Sequence, residues 1–148
     1  MRISVKGRYA LAAAVLVAEK QTSGANVTVG SVSEELGLSK IYLEQVFAQL
    51  KKVGILTSAK GPKGGYQFAR PASVITAWEV LSALETGFAE RAEETVTDND
   101  PGLEMALKEK VYERLDASLQ NALTAVTVQD ILEATQKQRG DQSFMMGL

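Results

Sequence analysis

The chain predicts a mainly α-helical fold with one small β-hairpin, on three observations. Apolar residues recur at helical spacing through much of its 148 residues. Two β-prone runs, ILTSA and YQFAR, flank the glycine-rich turn KGPKGG. Farther on, Leu103, Leu107, Val111, Leu115, Leu119 and Leu123 follow one another at uniform spacings of four, the mark of a long helix with an apolar stripe.

The first helix is expected over Gly7 to Lys20, with Ala10, Leu11, Ala14, Val15 and Ala18 as its buried stripe. Arg2, Lys6 and Arg8 make a basic entry to it, suited to phosphate contacts, although ordinary solvated cations would look the same. Thr28 can cap the next helix, and Gly37 stops it after Leu36. Ser39 caps a third helix, whose Leu43, Val46, Phe47 and Leu50 fall at i, i+3, i+4 and i+7, and Gly54 closes it. Its opposite face presents Lys40, Tyr42, Glu44, Gln45, Gln49 and Lys52. Glutamine can bond adenine twice and glutamate can accept from the cytosine amino group, so this face has the chemistry to read base edges in a major groove. A solvated helix face would carry similar residues.

The hairpin adds a second argument. Gly61, Gly64 and Gly65 give its turn a permissive backbone and Pro62 stiffens it. Lys60 and Lys63 sit on the tip with no acidic residue between Glu44 and Glu79, free to meet phosphates or a narrow minor groove. A phosphate-cradling nucleotide loop is excluded by the missing GKS or GKT ending and by the missing strand-then-helix context. Two helices joined at a tight glycine turn, followed by this hairpin, read as a winged helix-turn-helix, with double-stranded DNA the leading partner. Candidate DNA contacts are Arg2, Lys6, Arg8, Ser39, Lys40, Tyr42, Glu44, Gln45, Lys60 and Lys63.

After Pro71, Thr76 and Glu79 form a capping box ahead of a helix bearing Trp78, Val80, Leu81 and Leu84, with Gly87 as its end. Trp78 fits a core or interdomain contact better than a base-stacking platform, because it lies outside the basic half. An acidic loop over 88–102 leads into the long helix. Four residues overshoot a helical turn by roughly 40°, so the stripe drifts about 200° from Leu103 to Leu123 and cannot face one flat surface. Part of it is expected to pack on its own domain and part, through Leu107, Val111, Leu115, Leu119 and Leu123, on the same helix of a second subunit. Thr127 and Asp130 cap a last helix through about Lys137, and GDQSFMMGL reads as a flexible tail. The expected organisation is a DNA-binding domain over 1–87, the acidic loop, dimerisation helices over 103–140 and a tail over 141–148.

Charge divides along the same line. Residues 1–71 hold ten Lys or Arg against four Asp or Glu, a net +6, while residues 72–148 hold six against fourteen, a net −8. The basic half can face a duplex and the acidic half should point away from it. No apolar run approaches the length of a membrane span and there is no signal-peptide pattern, so a cytoplasmic protein is expected. With no cysteine and no histidine, an enzyme is the weakest reading, and no arrangement of the remaining nucleophiles and acids marks an active site.

Three motifs carry a family resemblance: MRISVKGRYAL, YLEQVFAQLKKVGIL and SAKGPKGGYQFAR, in that order. Together they resemble the Rrf-two family of bacterial winged-helix regulators, of the IscR, NsrR and CymR type, and the similarity extends more loosely through ITAWEVLSALETG and the long helix. The resemblance implies a homodimeric transcription factor, usually a repressor, on a partly palindromic operator with paired half-sites. It implies DNA contacts from Glu44, Gln45 and Lys60; many relatives carry arginine at the last position, and lysine lacks its planar fork. Cluster-binding members place three cysteines in the loop that here reads GFAERAEETVTDNDPG, so no iron–sulfur cofactor is expected and the chain sits nearer the cluster-free, cysteine-metabolism members. Glu90, Glu93, Glu94, Asp98, Asp100 and Glu104 could hold a hard cation, but no calcium-loop spacing is present and a solvated acidic loop is the simpler account, so no metal site is expected. The controlling signal would be a small-molecule effector or a regulatory protein. A winged helix serving protein assembly, with its lysines on an acidic partner, is the alternative.

Overall fold

A computed structural model describes residues 3–85, 87 and 96–147. Arg2, Glu90, Glu93 and Glu94, and with them most of the acidic loop, lie outside the described residues. The elements are α1 (Val5–Lys20), α2 (Val29–Leu36), α3 (Lys40–Lys52), β1 (Leu56–Ala59), β2 (Gly65–Phe68), α4 (Ala77–Leu84), α5 (Pro101–Leu107), α6 (Glu113–Thr124) and α7 (Val128–Met145).

Helix α1 is the centre of the domain. It starts two residues earlier than its glycine suggested, because the Ser4 hydroxyl accepts from the Gly7 N–H and caps it. Rather than burying a single stripe it buries Ala10, Ala13, Ala14, Val15, Leu16, Val17 and Ala18, with Leu11 only half-buried. A helix apolar on all sides belongs inside, and α1 is packed by α3, α4, α7 and β2. Its run of alanines lets those neighbours come close.

The helix-turn-helix follows local chemistry. The Thr28 hydroxyl caps α2, accepting from the Ser31 N–H, and Gly37 ends it in the left-handed region at φ 65°. Ser33 fixes the turn at both ends, accepting from the Leu38 N–H at 3.1 Å and donating its hydroxyl to the Leu38 carbonyl. Ser39 caps α3, and Leu43, Val46, Phe47 and Leu50 are fully buried. Beyond Val53 the chain turns at Gly54, where the N–H groups of Gly54 and Ile55 return to the carbonyls of Lys51 and Leu50.

Strands β1 and β2 pair antiparallel, with Leu56 opposite Phe68 and Ala59 opposite Gly65. The wing has a third rung outside the predicted hairpin: Val27 exchanges both backbone hydrogen bonds with Tyr66, at 2.8 and 2.7 Å. Gly65 stands at φ 143°, and a Cβ there would lie 2.6 Å from the Val27 carbonyl oxygen, so the close approach of the two backbones requires glycine.

The capping box of Thr76 and Glu79 opens α4, and that of Thr127 and Asp130 opens α7. The two caps lie side by side: Thr76 and Thr127 form an antiparallel bridge in which the Ala77 N–H donates to Val126 and the Val128 N–H donates to Ile75. Helix α4 ends at Leu84, short of Gly87, because Glu85 turns to extended backbone and its carboxylate binds Ser4. Trp78 is half-buried on α4, beside Val53, Ile55 and Arg70.

The expected single long helix contains a break in its geometry. Between α5 and α6, residues Lys108–Tyr112 bond i to i+5, a wider turn than the α-helix. Four residues then no longer overshoot a full turn, so part of the drift of the apolar stripe is taken back within this segment. Helix α6 packs on α4 but buries none of its own residues. Leu103, Met105, Val111 and Leu115 are exposed, and Leu107, Leu119 and Leu123 are half-buried.

Helix α7 runs on through Gly140 to Met145, where the sequence suggested a stop near Lys137 and a flexible tail. Glycine inside a helix costs only about 1 kcal/mol relative to alanine, which the flanking Gln, Arg and Lys residues tolerate. Its first turns return to the core: Val128 and Leu132 are buried in the cluster built around α1, and Arg139 pairs with Glu19 of α1 at 2.5 Å.

Candidate nucleic-acid interface

Four fully buried side chains anchor one side of α3, so the other side is presented to solvent by necessity. Lys40, Glu44, Gln45, Gln49 and Lys52 are all exposed there. Tyr42 differs from the expectation of an open polar residue: it is half-buried and meets Tyr9 of α1 edge to face, with ring centroids 5.5 Å apart. That contact seats the start of α3 against α1, one residue after Arg8.

The Ser39 hydroxyl accepts from the Tyr42 N–H at 3.4 Å as the helix cap, which leaves its proton for a further partner. Ser39, Tyr42 and Gln45 converge with Tyr9, Leu38 and Ile41 on an open hollow of about 450 Å³ at the head of α3. Lys6 is half-buried at the start of α1, and the Arg8 Nε donates to the Ile3 carbonyl at 3.1 Å, which holds the chain entering α1.

The wing is braced by residues that sequence patterning does not single out. The Asn26 side-chain amide donates to the Lys63 carbonyl at 2.8 Å, pinning the tip, and the Gln21 side-chain oxygen accepts from the Phe68 N–H at 2.9 Å. Gln67 donates back to the Gly24 carbonyl at 3.2 Å. Phe47 of α3 packs edge-on against Tyr66 of β2, with centroids 5.0 Å apart, so wing and third helix share a core. Such long-range brackets have no local signature; the only hint is amide residues in the loop before α2.

Charge pairing separates the cations. Lys20 is bound to Glu35 at 2.7 Å and Arg70 to Glu79 at 3.1 Å. Lys40, Lys60 and Lys63 are exposed and, among the described residues, have no ion pair. An exposed polar helix, a braced hairpin and uncompensated lysines make a surface able to hold an anionic, hydrogen-bonding polymer. Among the described residues no group of His, Cys, Asp and Glu is placed to hold a metal ion, and none of the helices is long and apolar enough to cross a membrane.

A family model described as Rrf2, iron-dependent transcriptional regulator, matches residues 3–134. The chain is 37% identical over 146 residues to the HTH-type transcriptional regulator IscR of Yersinia enterocolitica, covering 95% of this chain and 88% of that one. It is 34% identical to a Neisseria meningitidis protein named "Putative HTH-type transcriptional regulator", over 97% of this chain and 94% of the relative. Among solved structures it is similar to CymR, the global cysteine regulator of B. subtilis, with a TM-score of 0.73 and 28% identity, covering 90% of this chain and 98% of that one. IscR of T. potens superposes with a TM-score of 0.69 at 29% identity, over 91% and 88% of the two chains. The donor set here does not fit an iron–sulfur centre, because the chain has neither cysteine nor histidine. On the span of the family match and the shared winged fold, the chain belongs to the Rrf2 family of transcriptional regulators.

Proposed function

We propose that this regulator acts as a homodimer, binds double-stranded DNA with paired half-sites, and represses transcription without a resident cluster. The observation that carries the reading is the outward side of α3, exposed and polar opposite four fully buried anchors, beside a wing whose Lys60 and Lys63 have no ion pair among the described residues.

In this reading α3 enters the major groove, with Glu44 and Gln45 on base edges and Ser39, Lys40 and Tyr42 at the groove's rim. Lys60 and Lys63 follow the adjacent minor groove or its phosphates, while Arg2, Lys6 and Arg8 fix position on the backbone without reading sequence. Leu107, Val111, Leu115, Leu119 and Leu123 form the dimer seam, which accounts for large apolar side chains left at the surface of a single chain. Two-fold pairing would place the third helices about one DNA turn apart, or a multiple of it. A dimer seated over a promoter blocks polymerase, and a metabolite or partner protein that alters the angle between seam and wing would release it.

Selection of genomic fragments on the purified protein, with no metal added, tests the reading. A paired-half-site motif bound roughly a thousandfold tighter than scrambled DNA is the expected result. Weak binding with no enriched motif would overturn it and favour protein assembly.

A further inference from the structure

Ile41 is a large apolar residue left bare on the polar side of α3. It is the second residue of α3, and its side chain is 71% exposed. Counting from the anchors Leu43, Val46, Phe47 and Leu50, it lies on the opposite side of the helix, in a row with Gln45, Ala48 and Lys52. A β-branched residue is a slightly weaker helix former than a straight-chain one, and this one buries little in return. Its nearest functional neighbours are polar: Gln45 stands one turn on, Glu44 flanks it, and Ser39 and Tyr42 line the same hollow.

Resting on the DNA reading above, the geometry points to Ile41 as a specificity residue that reads a thymine 5-methyl group in each half-site. The first turn of a recognition helix is the part that meets base edges. In the major groove the thymine methyl is the one apolar feature those edges present. An isoleucine aimed outward at that level can bury the methyl, and no other base offers it an equivalent partner. Gln45, one turn on, can pair with adenine, whose partner base is thymine, so the two residues are placed to read A·T pairs in the same stretch of groove. Lys40 and Lys52, exposed on the same helix, supply the charge that brings the duplex to it.

The test uses the full-length protein and its selected operator, with each thymine replaced in turn by deoxyuridine, which lacks only the methyl. At one position per half-site, affinity should fall about fourfold, and about fifteenfold when both half-sites are changed, the scale expected for one buried methyl in each. Ile41→Ser should bind the thymine and uracil operators alike, and Ile41→Val should keep the discrimination. Both variants should melt with the parent, since the side chain is exposed. A selected operator whose binding ignores every uracil, or a discrimination that survives in Ile41→Ser, would overturn the assignment while leaving the DNA reading intact. Failure to select any operator would overturn both.

Discussion

The carboxylate of Glu85 accepts two hydrogen bonds from Ser4, one from its backbone N–H at 2.8 Å and one from its hydroxyl at 2.5 Å. The residue that caps α1 is thereby fastened to the end of α4, 81 positions away in sequence. Gly7 lies beneath this contact, where any Cβ would overlap the Glu85 carboxylate. One interaction thus ties the capped start of α1 to the end of α4.

Glu85→Ala should lower the unfolding free energy by about 1 kcal/mol, the scale of a partly exposed pair of hydrogen bonds. Urea denaturation measures it. Unchanged stability, with DNA affinity also unchanged, would remove Ser4 and Glu85 from any role in placing the N-terminus.

Lys60→Ala should weaken operator binding and reduce the slope of log affinity against log salt by about one unit. Lys60→Arg should restore the affinity, and the guanidinium fork should sharpen discrimination at narrow-groove positions. Anisotropy titrations over a salt series distinguish these effects. A slope indifferent to both changes would mean that the wing tip stands clear of the duplex.

Gly65→Ala asks an L-residue to adopt φ 143° with its Cβ 2.6 Å from the Val27 carbonyl oxygen. The expected cost is about 1–3 kcal/mol, concentrated in the wing. Amide hydrogen exchange should show faster exchange at Val27 and Tyr66, while the amides inside α3 remain protected. Uniform loss of protection across α3 as well would show that wing and helices unfold as one unit.

Leu115→Asp places a charge on a side chain that is 65% exposed in the single chain. The fold should persist and the proposed dimer should give way to monomer, seen as a halved mass by sedimentation equilibrium. By contrast, Leu43→Ala empties a fully buried site and should cost about 2–5 kcal/mol. A dimer unaffected by Leu115→Asp would move the subunit contact off the long stripe.

What could be read beforehand was written in local chemistry. Thr28, Gly37, Ser39, Gly54 and the two capping boxes act on backbone groups within a few residues, and each does in the structure what its type and position suggested. Distant partners decided the rest. Gly87 looked like the end of α4, but the bond from Glu85 to Ser4 draws the chain out of the helix earlier. Val27 joins the wing by a pair of backbone hydrogen bonds, which no side-chain pattern marks. The wider turn at Lys108–Tyr112 follows no recognisable sequence rule, although it falls where the uniform spacing of four demanded a correction. Within the candidate interface, charged and amide residues were legible because their chemistry suits DNA. Ile41 was not, since a lone apolar residue at the head of a helix looks the same from sequence whether it is buried or bare.

The bridge between Thr76 and Thr127 and the pair of Glu19 with Arg139, 120 positions apart, bear on how the protein is made. Synthesis delivers α1 first and α7 far later, yet Val128 and Leu132 belong to the core around α1. A ribosome carrying only the helix-turn-helix and wing therefore holds a domain with one side of its central helix uncovered. The stripe from Leu103 to Leu123 emerges before α7 does, so in the proposed dimer the pairing surface would be made before the core is closed. Completion of the core therefore waits on the last helix, which brings Val128 and Leu132 to it.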